Sequence, residues 1–154
     1  MTDLPPGGGS RLRGLYLRFL VLSVVASLIV LSFAFFATAS ATGDDDIVTL
    51  LVGCVVITTS SVCLVIALLR GRGAVHGDRA DIPAAVRSRL VARMGSLVGW
   101  LGALAVVAVA VVQHVQHVDM ALLEGIVLAG GALIPAVGND AAKRLAGQMT
   151  ERAR

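Results

Sequence analysis

Glu124 is the one acid that falls inside a long apolar run, and it is the residue whose type and place most directly suggest chemistry. Ionisable groups in membrane-crossing segments are costly, so those that persist usually bind an ion, move a proton or pair with a partner. Its run begins at Met120, which places Glu124 roughly 6 Å from that end at 1.5 Å per helical residue. At that depth a carboxylate reaches interfacial water, which lowers the cost of keeping it. Proton binding, cation binding and pairing with a partner all remain open for it, beside a plain interfacial role.

His114 and His117 precede it at a spacing that shares one helix face, with Asp119 close behind. Together with Asp44, Asp45 and Asp46, expected on the same side of the membrane, they could bind a divalent metal or sense pH. Two histidines without a second matching pair fall short of a metal-ligand set. Solvated loop residues are the simpler reading, and no metal site is assigned. Thr58, Thr59, Ser60 and Ser61 put four consecutive hydroxyls in the middle of another apolar run. Such hydroxyls bond to a preceding carbonyl or to a neighbouring helix; the alternative is a wet pore lining. Cys54 and Cys63 are nine residues apart, on opposite helix faces and about 13 Å apart along the axis. They cannot bridge each other and read as small packing residues.

Small residues recur at helical spacing in the second half of the chain. Gly95, Gly99 and Ala103 form one stripe, and Ala121, Gly125, Ala129, Ala132 and Ala136 form another. Both suit close helix packing. Trp100 reads as a packing anchor, and Gly130, Gly131 and Pro135 mark a weak point where a helix can bend. The sequence holds no phosphate-binding glycine loop, paired zinc-ligand motif, nucleophile elbow or HExxH. No catalytic residues and no cofactor are therefore expected.

The elements that carry these residues follow from composition. Of 154 residues, 56% are hydrophobic and the mean hydropathy is +0.86, which excludes an ordinary soluble domain. The net charge of +3 would suggest nucleic acid in a soluble protein. Here the basic residues flank apolar runs, where the lipid bilayer and its anionic headgroups are the expected partners and nucleic acid is not. Four runs are long enough to cross a hydrocarbon core of about 30 Å, at about 19–41, 47–69, 94–112 and 120–137. Residues 1–18 are expected to be a disordered basic tail and 138–154 a basic C-terminal tail. Ala37, Ala39 and Ala41 imitate a signal-peptide cleavage site, but the run before them is longer than a typical leader core.

Between the second and third runs lies Arg70 to Arg93, with six arginines against Asp78 and Asp81. Such a basic excess marks the cytoplasmic side of a membrane protein. Asp81 and Pro83 predict a helix start, and a short interfacial helix from Ala84 to Arg93 is expected to lead into the third span. All thirteen Lys and Arg residues fall in the N-terminal, central and C-terminal polar segments, which four spans place on one side. The expected fold is an all-α integral membrane protein: four transmembrane helices as two hairpins, both termini and the basic central loop cytoplasmic.

The richness in Arg, Ala, Val and Gly suggests a bacterial or phage origin and hence a bacterial inner membrane. The expected function is a non-enzymatic, self-associating membrane protein whose small-residue faces meet a second copy. In size, span number and basic tail it resembles holin-like permeabilising proteins, without a family motif; a scaffold or subunit of a membrane complex is the milder form. The alternative is a small proton- or cation-coupled secondary transporter using Glu124. Four-helix drug exporters of similar size keep their essential acid in the first span, and the first span here has none. A third reading is an envelope sensor built on the outer His and Asp residues.

Overall fold

The computed structural model describes residues 2–3, 7–40, 47–76, 79–116 and 121–151. Four helices make up almost all of it: α1 (Gly8–Ser40), α2 (Ile47–Gly73), α3 (Ile82–Val115) and α4 (Ala121–Glu151). Each is long and apolar enough to cross a membrane, which gives the chain the build of a small multi-pass membrane protein. Helices are the natural outcome, because lipid offers backbone N–H and C=O groups no partners and a helix satisfies them within one segment. Three two-residue strands, β1 (Thr2–Asp3), β2 (Val75–His76) and β3 (Arg79–Ala80), pair antiparallel in the order β1-β3-β2.

Several boundaries differ from the sequence expectation. Residues 8–18, expected within a disordered tail, are the opening turns of α1, because Leu12 and Tyr16 are buried in a core shared with α2 and the strands. The polar segment 70–93 is mostly ordered structure. Helix α2 continues to Gly73, β2 and β3 pair antiparallel, and α3 starts at Ile82. As Asp81 and Pro83 predict, Asp81 caps α3, its carboxylate accepting from the Ala84 N–H at 3.5 Å. The separate interfacial helix does not form; one helix of 34 residues runs through the whole region. Nor is 138–151 a tail, since Ala142, Ala146 and Met149 are buried and carry α4 on.

Side-chain contacts fix how the helices run. The Tyr16 ring lies against Gly71 and Ser27 bonds Ser61, so α1 and α2 are antiparallel. Ser60 bonds the Gly95 carbonyl in the first half of α3 and Thr49 bonds Gln113 near its far end, so α2 and α3 are antiparallel. Gly99 faces Ala136 and Gly125 faces Ala110, which makes α3 and α4 antiparallel too. Of all pairs, α3 and α4 share the most extensive contact, while α1 rests chiefly on α2 and touches α4 far less. Only 6% of the most apolar stretch of α1 is buried, against 33–39% in the other three helices. Helix α1 thus lies at the edge of a core built mainly by α2, α3 and α4.

Two apolar clusters fill that core. One, at the strand end, includes Leu12, Tyr16, Leu68, Val75, Ala92 and Ala146. The other, at the opposite end, gathers Leu50, Ile57, Val106, Leu128 and Ala132.

Candidate functional site

A polar layer lies between the two clusters. Ser60 of α2 donates to the Gly95 carbonyl of α3 at 2.9 Å. Asn139 of α4, fully buried, donates through Nδ2 to the Ser60 carbonyl at 3.0 Å, to Ser60 Oγ at 3.4 Å and to the Pro135 carbonyl at 2.8 Å. Gly95 makes room for it: a Cβ there would lie 2.5 Å from Asn139 Oδ1 and 2.6 Å from Cys63 Cβ. One turn along, a Cβ on Gly99 would stand 2.6 Å from Ala136 Cβ. Cross-helix polar contacts of this kind hold membrane bundles together, helped by small residues that let backbones approach.

Further contacts flank the layer. Ser27 and Ser61 join α1 to α2 at 3.1 Å, and Ser88 donates to the Ala67 carbonyl at 2.7 Å. Asp140 accepts from Ser96 Oγ at 3.1 Å, Trp100 Nε1 at 3.3 Å and Lys143 Nζ at 2.7 Å. Trp100 is therefore tied by its indole N–H to Asp140, while its ring stays exposed.

The sequence-derived candidates fall into different places. Gly95, Gly99 and Ala103 on α3, and Gly125, Ala129, Ala132 and Ala136 on α4, are all buried between helices of the same chain. The four hydroxyls do not share a surface: Thr58 and Thr59 are exposed, Ser60 and Ser61 buried. His114 is exposed. His117, Asp119 and Asp44 to Asp46 lie outside the described residues, among which no three His, Cys, Asp or Glu side chains are grouped to hold a metal ion. Cys54 and Cys63 are free thiols, each half-buried.

Glu124 sits in the first turn of α4, where the partial positive charge of a helix N-terminus complements a carboxylate. It lines a groove of about 440 Å³ bounded by α1, α2 and α4, whose other walls include Ile29, Phe33, Leu50, Ile57, Val127 and Ile134. Among the described residues no other ionisable side chain lines that groove. A cavity of this volume, apolar except for one polar group, has the character of a small-molecule site, for which about 300–1,000 Å³ is usual. Its chemistry is simple: an apolar cleft with one fixed acid near its end.

Sequence reasoning missed Asn139 and Asp140 by ending the fourth span at residue 137. The signal was there, since the small-residue rhythm of Ala132 and Ala136 continues through Ala142 and Ala146. It also missed that Ile29 and Phe33 of α1 complete the surroundings of Glu124, which no local pattern announces. Compared with known protein families, characterised proteins and solved structures, the chain matches none.

Proposed function

We propose that the protein is a non-enzymatic carrier that binds a cation beside Glu124, in a bacterial cytoplasmic membrane with both termini on the cytoplasmic side. The observation that carries this reading is the placement of Glu124 on an otherwise apolar three-helix groove, where an acid has a ligand-sized space to serve. The orientation is supported by the basic residues. Arg11, Arg13, Arg70, Arg72, Arg87, Arg89 and Arg144 belong to the helix ends that gather around the strands, and such an excess favours the cytoplasmic face and anionic headgroups. The test is uptake into proteoliposomes driven by a proton or cation gradient. Wild-type protein moves the cation, and Glu124→Gln abolishes movement while keeping the helical circular-dichroism spectrum. Unchanged uptake in that variant refutes the reading.

A second reading, self-association in the manner of holin-like proteins, is favoured by the apolar surface that α1 leaves exposed, Leu22 and Leu28 among it. The small-residue faces are already occupied within the chain, so a second copy would meet α1 instead. Cross-linking in native membranes through single cysteines at Leu22 and Leu28 decides it; absence of any dimer product removes this reading.

A further inference from the structure

We infer that the outer edge of the α3/α4 seam holds the phosphate of an anionic phospholipid, drawn into the bilayer by Arg93 and Arg144. The Ser60 layer supplies a common height for the helices, since Ser60, Gly95 and Asn139 are bonded across α2, α3 and α4, and Ser27 of α1 bonds the adjacent Ser61. From that layer toward the strands, α2 reaches Arg70 and α1 reaches Arg18 only after roughly 14 Å at 1.5 Å per residue. On α3 and α4 the first cations, Arg93, Lys143 and Arg144, come within roughly 3–8 Å. At equal height the surface is therefore apolar on one side, where Leu22, Val25, Val62 and Ile66 are exposed, and charged on the other. A flat boundary cannot suit both. Tilting the bundle does not resolve it, because α3 also exposes Leu90 and Met94 at that height, and these would be pushed toward water. A local dip resolves it, since bilayers thin around a short apolar stretch, and the dip brings headgroups to the seam.

The edge is built to receive one. Arg93 and Trp100 lie two turns apart on one face of α3 with Ser96 between them, and Ser96 and Trp100 both donate to Asp140 of α4. Arg89, a turn beyond Arg93, lies over α4, its Cζ 3.9 Å from where a Gly147 Cβ would stand. The helices thus run together along this edge, and Arg144, one turn from Asp140, comes within a turn of Arg93 in height. Asp140 is occupied by Ser96, Trp100 and Lys143, while both arginines are exposed and have no ion pair among the described residues. Guanidinium groups offer paired N–H donors that match a phosphate. A zwitterionic lipid brings its own cation to this basic edge and an anionic lipid does not, which selects the anionic class. A lipid fits better than a soluble anion, because the surface continues past Trp100 into the membrane as exposed Val107 and Val137, where acyl chains lie, and an indole suits the boundary between the two zones.

Trp100 is the single tryptophan of the chain, so its fluorescence reports on this edge alone. The experiment places the full chain in phosphatidylcholine vesicles that contain a minor fraction of brominated phosphatidylglycerol or, in parallel, of identically brominated phosphatidylcholine, and measures quenching. Phosphatidylglycerol is expected to quench about threefold more than phosphatidylcholine at equal fraction, and bromine high in the acyl chain more than bromine near its end. Arg93→Gln with Arg144→Gln should abolish the preference, while Arg11→Gln with Arg13→Gln, which removes as much charge from α1, should leave it. Equal quenching by the two lipids overturns the site. Equal loss in the two double variants does so too, since it means general attraction to a basic protein. Strongest quenching by bromine near the chain end also overturns it, because the arginines then reach up to a flat boundary instead of drawing headgroups down. If the variant at Arg93 and Arg144 fails to fold, the lipid contrast and the bromine depth in the wild-type chain decide.

Discussion

Helix α4 meets α3 on one face and α1 on another, and the two seams are built from different residues. Against α3 it presents Gly125, Ala132, Ala136 and Asn139, opposed by Ala110, Gly99 and Gly95, and the backbones approach until no Cβ could be added at those glycines. Against α1 it presents Val127, Ile134 and Glu124, opposed by Ile29 and Phe33, and about 440 Å³ remains unfilled. Lipid removes the hydrophobic drive for helices to associate, so contact quality and buried polar bonds decide which seam is tight. Bulky side chains on both sides hold two helices apart. The lesson is a division of labour across one helix: stability resides in the small-residue seam, and room for a ligand resides in the seam where only Gly131 approaches α1 closely, against Val30.

Substitutions on the two seams should therefore separate. The largest effect is expected for Gly99→Leu, which must displace Ala136 and Ser60 and should cost about 3 kcal/mol, at the upper part of the range for overpacked cores. Reversible unfolding in sodium dodecyl sulfate measures it, and a cost below that of a bulky change at Val127 would break the comparison. Asn139→Ala should cost about 1 kcal/mol in the same titration, in line with interhelical bonds in membranes, because it removes donors from the Ser60 and Pro135 carbonyls. Val127→Ala is expected to change stability by no more than about 0.5 kcal/mol, since the side chain is exposed and borders empty space. A larger loss there would show that the α1 seam also carries the fold.

Four long helices were legible from the sequence because uncharged runs of this length have one solution in lipid. The cap at Asp81 was legible as well, since its signals are local. The spans' true lengths were not. A polar residue such as Asn139 or Asp140 looks like the end of a span, whereas in the fold it is bonded by Ser60, Ser96 and Trp100 from other helices. The small-residue stripes could be read as packing faces, but a stripe carries no label for its partner, and here Gly99 finds Ala136 within the same chain. Glu124 stood out by type alone. Its setting did not, because the groove is made by Ile29, Phe33, Leu50 and Ile57 on two other helices, and long-range pairing leaves no trace in local spacing.

The small sheet has a consequence for the order in which the molecule is made. Strand β1 precedes all four helices in the chain, yet its partner is β3, with Thr2 opposite Ala80 and Asp3 opposite Arg79. On the ribosome β1 emerges before α1 and must wait until α2 has been inserted and residue 80 has followed. Closing so long a loop from an open chain carries an entropic cost, which the antiparallel packing of α1 on α2 reduces by bringing the two ends together beforehand. Strand β1 is thus joined late, as a latch over two helices already in place. Under tension applied at residue 2, this two-residue pairing should give way before any helix bears load.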